Sequence, residues 1–215
     1  MATGFHMTKA WLLPFTCSRI SHMKKLRSFL MLPTIVAPMV FVSVSAPAQD
    51  AEKLRLIGKL IEKAQLNEQT AYGVILGAKR AVADGKESPV YFQCISALDA
   101  KLFTPVFISL FSEDISVTAL KEGVQLFDTS PGKKFIAYSF RGIESQAGFP
   151  PSKPAVEITA DDAKVVNAFI ASPLGQKMTV SSPALKAEIS KILRPIIAKC
   201  MAESAAAKST AAGKR

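Results

Sequence analysis

Phe127-Asp128-Thr129-Ser130-Pro131-Gly132-Lys133-Lys134-Phe135 and Phe169-Ile170-Ala171-Ser172-Pro173-Leu174-Gly175-Gln176-Lys177-Met178 are two versions of one corner. Phe, Ser and Pro recur at an offset of 42. Gly132 and Lys134 then recur as Gly175 and Lys177 at 43, across a one-residue insertion in the second copy. Proline disfavours helix at the residue before it, and serine is a strong N-cap. Ser130 and Ser172 are therefore expected to leave one helix and cap the next, with Pro131 and Pro173 in its first turn. Phe127 and Phe169 fall on the last turn of the first helix, where each can pack across its corner. Helical stretches precede the copies at 118–126 and 159–168, and follow them at 136–143 and 184–202. Two copies are too few for a solenoid. They predict two helical hairpins packed on each other.

Helical periodicity extends over the rest of the chain. Between 51 and 66, Leu54, Ile57, Leu60, Ile61 and Ala64 form an apolar stripe opposite Lys53, Lys59, Glu62 and Lys63. Residues 69–83 continue with Tyr72, Ile75, Leu76 and Val82 and stop at Asp84-Gly85. Ser88-Pro89 reads as an N-cap and first helical position. Residues 91–111 are the most apolar run behind the leader and predict a central buried helix, bent or split at Pro105. No run alternates with period two. The fold class is all-α: a compact helical bundle of about six to eight helices that includes the two packed hairpins. Gly148-Phe149-Pro150-Pro151-Ser152-Lys153-Pro154 links the two copies.

The N-terminus reads differently. Met23-Lys24-Lys25-Leu26-Arg27 is a basic run, followed by an uncharged, mainly apolar stretch at 28–44 and by Ala46-Pro47-Ala48. Basic, apolar and small-residue regions in that order predict a secretory signal peptide at 23–48, cleaved after Ala48, and a periplasmic protein. The competing reading is an uncleaved anchor. It needs about 20 apolar residues, and Pro33 and Pro38 interrupt the stretch. Residues 1–22 read as an upstream extension, with Met1 or Met23 as the start. The remainder divides into a single helical domain at 49–204 and a disordered tail at 205–215, rich in Ala, Lys, Ser and Thr. No membrane span is expected after cleavage.

Removal of residues 1–48 leaves 167 residues with all 17 acidic and 22 of the 27 basic side chains, so the net charge falls from +10 to +5. The bases are scattered singly and are mostly lysine, so no nucleic-acid partner is expected. Both histidines, His6 and His22, and Trp11 and Cys17 lie in the removed segment. What remains has no histidine. That excludes Ser-His-Asp and Cys-His catalysis and histidine-ligated metals.

The paired corners resemble those of bacterial secreted proteins of domain-of-unknown-function family 2059. Those proteins carry a helix ending in an aromatic residue, a Ser-Pro-x-Gly-x-Lys corner, then a long amphipathic helix. The resemblance covers residues 115–202, and the copy at 169–178 is the better match, with Thr159-Ala160-Asp161-Asp162 opening its first helix. Ile170 departs from it, standing where the family often has a second aromatic. The first copy also lacks a residue between Pro131 and Gly132. The resemblance implies an exported helical protein and brings no activity, cofactor or catalytic residue with it.

Three patterns bear on chemistry. Ser130-x-x-Lys133 matches a serine–lysine hydrolase pattern, but no companion motif occurs and the second copy does not keep the spacing; helix capping accounts for it. Asp161-Asp162 and Glu113-Asp114 could meet calcium, but neither lies in an Asp-x-Asp-x-Asp-Gly loop, and acids suit the first turn of a helix. The aromatics of 91–111 could line an apolar ligand groove or simply form core. No catalytic, cofactor-binding or metal-binding residue is assigned, and no cofactor is expected. Cys94 and Cys200 are the two cysteines left after cleavage, and an oxidising compartment predicts a disulfide between them. Buried free thiols and intermolecular bonds are the alternatives. The expected function is a non-catalytic binding or interaction module directed at a periplasmic protein or another envelope component. The alternatives are an immunity-like or chaperone-like inhibitor of a periplasmic protein and, last, the serine–lysine hydrolase.

Overall fold

Apolar spacings of three and four produce helices throughout. The computed structural model describes residues 46–179 and 183–212, and its regular elements are nine α-helices and one 3-10 turn. The fold is all-α, with one helix more than the expected range. All of the upstream extension and most of the signal peptide lie outside the described residues. No single helix among the described residues is long and apolar enough to cross a membrane.

Helix α1 (Ala46–Lys63) buries Leu56, Ile57, Leu60 and Ile61. Leu54, expected on this stripe, is half exposed, and Leu56 takes its place in the core. Gln65 turns the chain in the left-handed region, φ 53°, into α2 (Leu66–Ala83). Gly85, at φ 72°, follows the end of α2. Ser88 caps α3 (Pro89–Ser96) by accepting from the Tyr91 amide.

The run 91–111, expected as a helix bent or split at Pro105, is split, but earlier. The chain breaks at 97–99, passes through the 3-10 turn Ala100–Phe103 and enters α4 (Thr104–Ser112), a bend of 69°. The Asp99 carboxylate accepts from the Lys101 amide and caps the turn. Pro105 does not kink a helix; it sits in the first turn of α4, where its missing N–H leaves no bond unmade.

The hairpins are α5 (Val117–Asp128) with α6 (Ser130–Gln146), and α7 (Ala160–Ala171) with α8 (Pro173–Thr179). They pack on each other, α6 against α7 and α5 against α8. Phe127 and Phe169 meet edge to face across this junction, ring centroids 5.4 Å apart. Gly123 lets α8 approach: a Cβ there would lie 2.5 Å from a Leu174 methyl. Helix α1 lies against α4 and α5, and Phe103, Phe107, Phe111, Leu120 and Phe127 fill the main core.

The last helix, α9 (Pro183–Ala212), is longer than expected. The segment 205–212, read as disordered tail, is helical. Alanine-rich sequence has the highest helix propensity, and the buried Ser204 anchors it through a hydrogen bond with Ser88. Beside α3, the residues Ala78, Ile95 and Cys200 form a smaller second core. Cys94 and Cys200 meet there at bonding distance, Cα atoms 5.5 Å apart across 106 positions, within the ordinary disulfide range.

Candidate functional site

The corner residues are structural, and their register differs from the expected one. Thr129, not Ser130, caps α6: its hydroxyl accepts from the Gly132 amide at 3.3 Å. Ser172 caps α8 by accepting from the Gly175 amide at 3.0 Å. The two caps lie 43 positions apart, as do the two glycines and the caps Ser116 and Thr159 that open α5 and α7. These pairs of positions therefore share one offset with no gap between them. Leu126 matches Phe169, Phe127 matches Ile170, Ser130 matches Pro173, and the apparent insertion disappears. Thr129 and Ser172 also donate from amide and hydroxyl to the carbonyls of Leu126 and Phe169. Each glycine lies over that same carbonyl: a Cβ would come within 2.1 Å of the Leu126 oxygen at Gly132 and 1.9 Å of the Phe169 oxygen at Gly175. No other residue fits there without displacing the corner. Ser130, Pro131 and Pro173 stand in or at the first turn of their helices.

The corner lysines join the copies reciprocally. Lys134, from the first copy, donates to Asp162 at the start of α7 at 2.6 Å. Lys177, from the second, donates to the Glu113 carbonyl ahead of α5 at 2.7 Å. Asp162 also accepts from the amide and hydroxyl of Thr159, completing a capping box. The Lys134 ammonium and these Thr159 donors hold its carboxyl down at about 2. Ser130 and Lys133 are both exposed, and no hydrogen bond joins them among the described residues.

The open surface lies elsewhere. Helices α2 and α6 run side by side, Tyr72 against Phe140 with ring centroids 5.5 Å apart. Beside them, with α8 and α9 forming a further wall, is a groove of about 340 Å³. Its floor is apolar, from Val74, Phe107, Phe127, Phe135 and Ile136; Gln69, Thr70, Tyr138 and Ser139 also line it. The lining positions on α2 and α6 recur every three to four residues, one face of each helix. Glycines keep it open. A Cβ at Gly77 or Gly142 would meet nothing within 4 Å, and one at Gly73 would reach only an Ile143 methyl at 3.7 Å. Gly73-x-x-x-Gly77 is the sequence signal for this face. Of the aromatics of 91–111, only Phe107 lines the groove; Phe103 and Phe111 are fully buried, and Tyr91 and Phe92 pack around the disulfide.

A second cavity, of about 430 Å³, lies under the linker between α6 and α7. Three of its polar side chains, Tyr72, Glu144 and Ser152, are engaged with one another. Glu144, buried, accepts from the Tyr72 hydroxyl at 2.7 Å, from the Ser152 amide at 3.1 Å and from the Ser152 hydroxyl. The Ser152 hydroxyl and the Tyr72 hydroxyl lower its carboxyl, against an opposing effect of burial. Burial, with Glu144 beside it, pushes the Tyr72 phenol up. Arg141 donates to the Lys153 carbonyl at 2.6 Å. The cluster straps the linker to α6 and α2, a role for Glu144 that one sequence could not reveal. No group of three or more metal-ligating side chains occurs among the described residues. No family model, curated protein or solved structure matches the chain.

Proposed function

We propose that the protein is an exported, non-catalytic binding module of the periplasm, and that its binding surface is the groove beside α2 and α6. The observation that carries this reading is an apolar concavity of ligand-pocket size kept open by Gly73, Gly77 and Gly142. Packing normally fills such space: a glycine inside a helix costs up to about 1 kcal/mol against alanine. Export is supported by the basic, apolar and small-residue leader and by two cysteines that meet at bonding distance. Kinship with domain-of-unknown-function family 2059 belongs to the same proposal and is supported by the two corners. The test has two readouts. Expressed from Met23 in a Gram-negative host, the protein should be recovered from the periplasm beginning at Gln49. The purified protein should bind the neutral dye Nile red saturably, and Gly142→Leu should abolish that binding. Retention in the membrane with residues 23–48 intact would overturn the export half. Absence of saturable dye binding would overturn the groove half.

A further inference from the structure

We propose that the groove holds one long acyl chain bearing a carboxylate, and that Lys186 is its head-group partner. This rests on the reading of the groove as an apolar binding site. Its dimensions select the occupant. The lining spans Leu66 to Gly77 on α2 and Phe135 to Gln146 on α6. Each is eleven helical steps, about 16 Å at 1.5 Å per residue. Spread along that length, the 340 Å³ open to the centre of a water-sized sphere is a path about 5 Å across, or about 8 Å from wall to wall once a radius of about 1.4 Å is added on each side. A single hydrocarbon chain, whose carbons touch their neighbours at about 3.5–4.0 Å, fits within that width. A partner helix with its side chains needs about 10–12 Å.

Charge selects the head. Lys186 is the one charged residue among the described residues lining the groove, and no carboxylate lines it. Its side chain is partly buried and has no hydrogen bond or ion pair among the described residues. Lys134 and Lys177 differ from it: each is engaged with an acceptor, Asp162 and the Glu113 carbonyl respectively. A lysine ammonium with no acceptor of its own at the edge of an apolar groove favours a ligand that brings an anion to it. A neutral apolar ligand gains nothing from it, and a cationic one is repelled. A fatty-acid anion satisfies both parts, its chain against Val74, Phe127 and Phe135 and its carboxylate in a charge-assisted bond to the Lys186 ammonium.

The test uses the processed chain with its disulfide intact, and measures displacement of Nile red by oleate and by oleyl alcohol, which has the same chain without the carboxylate. Oleate should bind at least about tenfold more tightly than the alcohol. Lys186→Met should remove that preference, weakening oleate by about tenfold, or about 1.4 kcal/mol, with the alcohol unchanged. Lys186→Arg should keep it. Gly142→Leu should lose both ligands while its circular dichroism and melting curve remain native, because the new side chain enters open space. Equal affinity for oleate and the alcohol, or an unchanged oleate affinity in Lys186→Met, would overturn the acyl-anion proposal and leave the apolar groove standing. Oleate binding that survives Gly142→Leu would place the ligand elsewhere and overturn it too. Failure of oleate, alcohol and dye together would remove the groove reading itself.

Discussion

Reduction of the Cys94–Cys200 bond should be the largest single loss of stability available without changing a core side chain. The bond closes a loop of 106 positions. In the chain-entropy model a loop of about 100 residues is worth about 4.7 kcal/mol, taken from the unfolded chain. The native state should change little on reduction, because α9 stays anchored through Ile189 and Leu193 in the main core and through Ser204 against Ser88. The loss should therefore be about 3–5 kcal/mol, or about 6–20 °C in Tm at the 2–4 °C per kcal/mol usual for a domain of this size. Urea melts with and without a thiol reductant, followed by circular dichroism, measure it. The denaturant slope should rise on reduction, since the released chain expands and exposes more surface. A Cys94→Ala, Cys200→Ala double variant should match the reduced protein and be insensitive to reductant. Two reactive thiols in the unfolded, unreduced monomer would refute the reasoning. So would reduced and oxidised proteins that agree within about 1 kcal/mol with the same slope, because the loop would then contribute nothing.

The corner glycines offer a paired test. Gly132→Ala or Gly175→Ala should destabilise by about 1–3 kcal/mol or more, since the new methyl meets a carbonyl oxygen, whereas Gly142→Ala should be neutral or stabilising by up to about 1 kcal/mol; equal effects at 175 and 142 in urea melts would contradict the corner geometry. Acid should weaken the fold through Asp162: its carboxyl sits at about 2 in the fold against about 3.9 unfolded, so its contribution is complete above about pH 4 and is lost as pH falls through about 2. Asp162→Asn should flatten that limb of a stability–pH curve in part, since the carboxyls of Glu144 and Glu52 are lowered as well, and an unaltered curve would count against the Lys134 bridge. Phe127→Ala should cost about 3–5 kcal/mol by urea melts, as expected for a buried phenylalanine. Phe169→Ala should cost less, because Phe169 is only partly buried; the reverse order would contradict the packing at the junction.

What single-chain reading determined were the features governed by local rules. Apolar spacing specified helices, Ser88-Pro89 a helix start, Asp84-Gly85 a stop, and Ser172-Pro173 a corner, because each depends on backbone chemistry within a few residues. The Cys94–Cys200 pair was legible because these are the only two cysteines after residue 48. Tertiary structure decided what depends on several elements at once. The common offset of 43 between the two corners is set by Thr129 and Ser172, which make the same bonds to Leu126 and Phe169; the two Ser-Pro pairs, aligned by identity, mislead by one residue. The break at 97–99 was hidden because an apolar run carries no sign of where it turns, and Pro105 is equally compatible with a kink and a start. The groove was hidden for a related reason. A glycine in a helix reads the same whether a neighbour presses on it, as at Gly123, or open space faces it, as at Gly142. Only the placement of α6, α8 and α9 around α2 separates the two, and it leaves Lys186 beside apolar walls.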